Sequence, residues 1–302
     1  MPELPDVVLY VEHLDRLLRG RRLERLQILS PFVLRSVEPP PAVLEGRPVY
    51  GFRRLGKQIV FDFGDGYFLV VHLMVAGRLH WKRRGAKLGR KLGLAVLDFP
   101  HGTLHFTEAS TRKRARLDVV GGETALAAFD RGGLEVLEAS YDEFAARLRS
   151  ENHTLKRSLT DPRLFAGIGN AYSDEILHRA HLSPLRLSRQ LADAEVAQLH
   201  AAVQEVLQEW TARLRAQAGT EFPEKVTAFR PEMAVHGRYR QPCPVCNAPV
   251  QRIRYAENEC NYCPRCQTEG RLLADRGLSR LLKDDWPRTV DELERRKVTS
   301  DR

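Results

Sequence analysis

Between residues 6 and 19 apolar side chains recur at helical spacing, as Val7, Val11, Leu14 and Leu18, with Pro5 tolerated in a first turn and Gly20 as a stop signal. An amphipathic helix is predicted there. The period then changes to two. Ile59, Phe61 and Phe63 alternate with Gln58, Val60 and Asp62, Gly64-Asp65-Gly66 supplies a turn, and Tyr67–Val71 reads as a second strand. A further hairpin is predicted from Leu92–Phe99 through Pro100-His101-Gly102 to Leu104–Phe106. Strands dominate to about residue 130, which implies a β-sandwich. After Gly132-Gly133 the period returns to that of helices, from Tyr141 to Gln217. It is clearest in Val196, Leu199, Val203, Val206, Leu207, Trp210 and Leu214, behind Asp193 as the expected N-cap. From Phe222 the chain breaks into short strand-and-turn pieces. The tail from Thr268 is helical in part (Leu278, Leu281, Leu282) and then strongly charged.

This order gives an α+β chain: an N-terminal helix and β-sandwich over 1–131, a helical domain over 132–222, a cysteine-bearing hairpin over 223–267 and an extension over 268–302. Length supports more than one core, since 302 residues exceed the roughly 100–200 of a typical domain. No apolar run reaches the ~18 residues of a membrane span. The start, Met1-Pro2-Glu3-Leu4-Pro5-Asp6, lacks the basic and apolar regions of a secretory signal, so a cytoplasmic, membrane-free protein is expected, and a monomer is the expected state.

Lys and Arg number 48 against 39 Asp and Glu, a net charge of +9. The distribution matters more than the sum. Arg78, Lys82, Arg83, Arg84, Lys87, Arg90 and Lys91 form a run free of acids, and Arg112, Lys113, Arg114 and Arg116 form a second cluster. Both suit a polyanion, because each neutralised phosphate releases counterions, although solvated surface charge has the same composition.

All five cysteines fall between Cys243 and Cys266. Four follow C-x2-C-x16-C-x2-C, as Cys243, Cys246, Cys263 and Cys266, the spacing of two knuckles that close a tetrahedron around structural Zn2+. Redox thiols or an iron site would use the same geometry. Four thiolates leave no open coordination position, so a metal here organises the chain rather than performing chemistry. Cys260 stands outside the pattern as a bystander, while Arg238, Arg240, Arg252, Arg254 and Arg265 give the element a basic surface.

Three motifs occur in order: Pro2-Glu3-Leu4-Pro5-Asp6-Val7; Lys156-x-x-Leu159-x-Asp161 leading into Gly167-Ile168-Gly169-Asn170-Ala171-Tyr172-Ser173-Asp174-Glu175; and the ribbon ending Cys263-Pro264-Arg265-Cys266-Gln267. Over about residues 2–267 the chain resembles the formamidopyrimidine-DNA glycosylase/endonuclease VIII family of base-excision repair enzymes. The resemblance implies a helix-two-turn-helix DNA-binding domain, a zinc finger, and double-stranded DNA containing a damaged base or abasic site as partner. It implies that Pro2, freed by loss of Met1, is the nucleophile, with Glu3 as acid/base partner and Lys57 as the hairpin lysine beside them. An α-amine suits the role because its pKa lies near 8, against about 10.4 for lysine. His72, Lys156 and Asn170 are then expected at the DNA backbone, and Gly167 and Gly169 permit close approach to it.

Departures from the family are also legible. Its members fill the vacated base stack with a Met, an Arg and a Phe. Here Met74 or Val75 occupies the first turn, and the loop Thr107–Arg114 offers Arg112 and Arg114 but no aromatic wedge. The zinc hairpin's usual arginine aligns with Asn258, for which Arg252, Arg254 or Arg265 would compensate. The loop from Gly219 to Phe229 is short. These departures put 8-oxoguanine preference in question and admit oxidised pyrimidines, other lesions or abasic sites. A bifunctional glycosylase and abasic-site lyase is the leading expectation. A non-catalytic or lyase-only binder of damaged DNA is the second, and a zinc-ribbon RNA-binding protein the third.

Overall fold

A computed structural model describes the chain except for residues 90, 225, 228, 256–257, 275–286, 294 and 296–302. The expected helix at Leu278, Leu281 and Leu282, and the side chain of Asn258, lie outside the described residues. The chain forms two compact units: residues 1–133 with 209–228, and residues 134–208 with 229–302.

In the first unit, helix α1 (Leu4–Leu18) buries Val7, Tyr10, Leu14 and Leu18 on one stripe, as their spacing predicts. Gly20 ends it at φ +75°, a left-handed position that glycine adopts without a side-chain penalty. Strands β1 (Arg25–Ile28), β2 (Gly51–Leu55), β3 (Gln58–Asp62), β4 (Tyr67–His72), β5 (Gly77–Lys82), β6 (Gly93–Phe99), β7 (Gly102–Glu108) and β8 (Arg116–Gly121) follow. They form two antiparallel four-stranded sheets, in the orders β1-β6-β7-β5 and β2-β3-β4-β8. Both hairpins foreseen from the alternation are present, as β3–β4 and β6–β7.

The inner faces meet in one core that includes Ile59, Phe61, Leu69, Val71, Leu97, Phe106 and Leu117. β3 and β4 are apolar on their outer faces too. There Val60, Phe68, Val70 and Val120 pack with Leu126 of helix α2 (Glu123–Ala127) and with Phe129. A sheet covered on both sides explains the nearly continuous apolar runs in these strands.

The second unit holds α3 (Tyr141–Ser150), α4 (Leu155–Thr160), α5 (Asn170–Arg179) and the first part of α6 (Asp193–Ala218). β9 (Gln251–Tyr255) and β10 (Asn258–Tyr262) pair antiparallel, and α7 (Pro264–Thr268) follows. α6 starts at Asp193, which therefore sits in its first turn rather than at the expected N-cap. Its carboxylate pairs with Arg149 at 2.6 Å. Glu195 closes the terminus instead, accepting the N–H of Ala192 at 2.9 Å. Among the described residues no helix is long and apolar enough to cross a membrane.

Candidate functional site

In the first unit the chain start is an enclosed polar region. Pro2 is buried, Glu3 is 1% exposed, and Asp6 accepts the N–H of Glu3 at 3.0 Å. Glu3 occupies the N-cap of α1, so the helix itself sets its direction. Burial lowers the pKa of the Met1 α-amine from its ordinary value; Glu3 and Asp6 oppose the shift, and Arg78 and Lys57 add to it. Four charged side chains from α1, the β2–β3 turn and β5 thus act on one amine.

Lys57 reaches this region because β2 and β3 are joined by only Gly56 and Lys57, with Leu55 opposite Gln58. Gly56 has φ +59°, in the place where two-residue hairpins favour glycine. The next rung pairs Gln58 with His72. His72 Nδ1 accepts the N–H of Met74 at 3.0 Å, which assigns the ring proton to Nε2. Burial, with Arg116, Lys57 and Arg131 nearby, holds His72 down at about 4. It is therefore a neutral imidazole that presents an N–H donor.

The turn after β4 is tight: Gly77 donates to the Leu73 carbonyl at 2.8 Å. Met74 is half-buried with φ +50°, and Val75 at the tip is 55% exposed. Arg112 and Arg114 are exposed on the loop between β7 and β8. Its base is fixed by buried Glu108, whose carboxylate accepts the N–H groups of Arg114 (2.9 Å) and Ala115 (3.2 Å), while Lys113 donates to the Glu108 carbonyl. Arg78 and Glu108 were not singled out by sequence reasoning. Arg78 lay within a basic run, and Glu108 within a loop read for its arginines.

In the second unit, Gly167 (φ +83°) turns the chain into α5, and Gly169 is the N-cap with Asn170 as first helical residue. The Asn170 amide donates to the Glu259 carbonyl of β10 at 2.9 Å. Lys156 is 13% exposed and turned inward, donating to the Asn170 carbonyl and to Asp174 Oδ1, each at 2.6 Å. Asp174 Oδ2 meets His236 Nδ1 at 2.8 Å and accepts the N–H of Asn261 at 3.1 Å. Burial pushes Asp174 up, but Lys156 and His236 outweigh it and leave its pKa below the ordinary carboxylate value. Glu175 beside it accepts the N–H groups of Ala234, Val235 and His236 at 2.7–2.9 Å. Burial raises Glu175 above its ordinary value, against the pull of those three donors.

The cysteine sulfurs of Cys243, Cys246, Cys263 and Cys266 all lie within 4.8 Å of one another, with Cys246 to Cys263 at 3.3 Å and Cys243 to Cys266 at 3.8 Å. A tetrahedron with metal–sulfur bonds of about 2.3 Å has edges of about 3.8 Å, so the cluster fits one ion with little adjustment. His178 Nε2 lies 3.3 Å from the Cys243 sulfur. Cys260 points away and packs with Ile253 and Tyr262; burial and neighbouring Asp174 push its thiol well up. Arg254 is exposed on β9, opposite Glu259.

Two family models match the chain. The N-terminal domain of formamidopyrimidine-DNA glycosylase matches residues 1–117, and the H2TH domain of the same enzyme matches residues 134–220. The formamidopyrimidine-DNA glycosylase of Desulfitobacterium hafniense is 32% identical over 279 residues, covering 88% of this chain and all of that protein. The chain belongs to the formamidopyrimidine-DNA glycosylase family.

Within that family, an uncharacterized formamidopyrimidine-DNA glycosylase-like protein of Mycobacterium tuberculosis is 41% identical over 152 residues, half of this chain and 94% of its own. Among solved structures, a Lactococcus lactis Fpg mutant in complex with DNA containing Fapy-dG aligns with a TM-score of 0.78 at 26% identity, covering 88% of this chain and 100% of that one. The MutM (Fpg) protein of Thermus thermophilus aligns at 0.73 and 31% identity, covering 88% and 98%.

Proposed function

We propose that this family member is a bifunctional DNA glycosylase and abasic-site lyase, acting on double-stranded DNA through the amine of Pro2 exposed by removal of Met1. The observation that carries the reading is the enclosed chain start: Pro2 is buried beside a buried Glu3, and burial, Arg78 and Lys57 lower the pKa of the Met1 α-amine that precedes it, surroundings that the Pro2 amine enters once Met1 is removed. A nitrogen kept partly as free base is the state that nucleophilic attack requires. Solved structures of relatives in complex with DNA containing Fapy-dG, carbocyclic 8-oxo-G or an abasic site support the substrate class.

The steps follow from the groups present. The Pro2 nitrogen attacks C1′ of the deoxyribose, the glycosidic bond breaks, and the base leaves with a proton. Glu3 is placed to take the proton that the attacking amine loses and to pass it to the departing base or to the ring oxygen. Loss of the amine proton and ring opening give an iminium, which draws electrons from the sugar. The C2′ proton then becomes acidic, and its removal expels the 3′ phosphate; loss of the C4′ proton expels the 5′ phosphate. Water releases the amine. Lys57 is suited to a phosphate or to the departing base, and neutral His72 to a phosphate oxygen through its Nε2 proton. Met74, with Val75 at the turn tip, and Arg112 and Arg114 on the neighbouring loop are the candidates to fill the vacated stack. Asn170 and Arg254 belong to the backbone-binding surface, whereas Lys156, expected there from the sequence, is turned inward and supports that surface through the Asn170 carbonyl. Zn2+ held by Cys243, Cys246, Cys263 and Cys266 would fix the hairpin without entering the chemistry.

Borohydride reduction on an abasic-site duplex tests the reading, since only an iminium-forming amine becomes covalently attached to DNA. Wild-type protein should trap, with the adduct mapping to Pro2. Glu3→Gln should keep duplex binding and lose base excision by roughly 10²-fold or more, the weight of a general acid–base group. Tight binding with no adduct would instead indicate a non-catalytic binder.

A further inference from the structure

We propose that Asp174 is a positioning residue that locks the cysteine hairpin to the phosphate-binding turn, so that the hairpin sets the orientation of Asn170. The inference rests on the DNA-binding reading above and assigns a role to a residue inside a motif whose known parts are its glycines and asparagine.

Asp174 sits one turn along α5 from Asn170 and has no exposed side-chain surface. A buried carboxylate is costly unless paired and fully hydrogen-bonded. Its partners come from three separate stretches of chain. Lys156 on α4 takes Oδ1; His236, in the segment pinned by Glu175, and the Asn261 N–H of β10 take Oδ2. Two of these partners also serve the turn or the hairpin. Lys156 donates a second hydrogen bond to the Asn170 carbonyl. Two residues before Asn261, the Glu259 carbonyl receives the Asn170 side-chain amide. The Asn170 side chain is therefore aimed by a strand whose register against α5 is fixed by Asp174, through a closed circuit Asp174–Asn261–Glu259–Asn170–Lys156. A carboxylate serves better than an amide because it accepts from all these donors at once and neutralises the lysine.

The circuit predicts a division between binding and chemistry. In the full-length zinc-loaded protein, Asp174→Asn should raise the Kd for a duplex with a tetrahydrofuran abasic analogue by about tenfold, the scale of coupling within one buried network. Its single-turnover trapping rate at saturating protein should stay within about twofold of wild type, with zinc content unchanged and amide exchange faster across 258–262. A loss of stability alone would lower the trappable fraction and leave the Kd of the folded fraction where it was. Unchanged Kd, or a slower saturated rate at unchanged Kd, overturns the proposal. Should Asp174→Asn fail to fold, His236→Gln carries the same test, because Lys156 still balances the carboxylate. There Kd should rise about threefold, and no rise overturns the inference. Failure of the wild type itself to bind or trap would instead reject the functional reading on which this one rests.

Discussion

His72 illustrates how much of the site is decided by single side chains. A histidine at a strand end is ordinarily a group that titrates near 6.5. Burial and three neighbouring cations bring it to about 4, and the Met74 N–H fixes its tautomer. Nitrogen-15 shifts of the imidazole should report the neutral Nε2–H form down to about pH 5, with a midpoint near 4; a midpoint near 6.5 would reject the assignment. Because the folded-state pKa lies below the unfolded one, the stability this group contributes is complete above about 6.5 and is lost as pH falls from there to about 4. At this scale the motifs singled out Pro2 and Glu3 as candidates, and the resemblance to the family added Lys57. Asp174 lies within a motif, yet its partners were not visible in the sequence, because His236 and Asn261 join it only through the fold.

Elements were legible where turn residues punctuated them. β3 and β4 lie where Gly64-Asp65-Gly66 placed them, and α1 where its apolar stripe did. α5 was legible only through its motif, since residues from Ala171 to His178 are buried on every face and leave no amphipathic period. The turn from Leu73 to Gly77 depends on a missing side chain. A Cβ on Gly77 would lie 2.2 Å from the Leu73 carbonyl oxygen, and backbone cannot swing aside as a flexible side chain would. Gly77→Ala should therefore cost about 1–3 kcal/mol in a denaturant melt and displace Met74 and Val75, weakening abasic-duplex binding. A melt indistinguishable from wild type would show that the turn relaxes freely.

For the molecule as a whole, sequence reasoning found the sandwich, the helical region and the cysteine hairpin, but not the return of residues 209–228 to the first unit. Periodicity describes an element and is silent on which core the element joins. The cysteine cluster gives a test at this scale. Chelating the metal should speed amide exchange across residues 243–266 and weaken duplex binding by more than about tenfold, because metal binding is folding energy for such a hairpin. Exchange in β3 and β4 should not change. Binding that survives complete loss of metal would remove the hairpin from the interface.

The segment that comes back to the first unit has a consequence for synthesis. Phe222 packs against Tyr10 and His13, Arg215 pairs with Glu12, and Glu224 bonds His80 and lies 3.0 Å from Lys82. The ribosome delivers these pieces only after most of α6 has been made. A nascent sandwich therefore waits, with the flank of its first helix uncovered, until translation has passed through about half of the other unit. An amino-terminal fragment ending at the double glycine would be born with that flank bare.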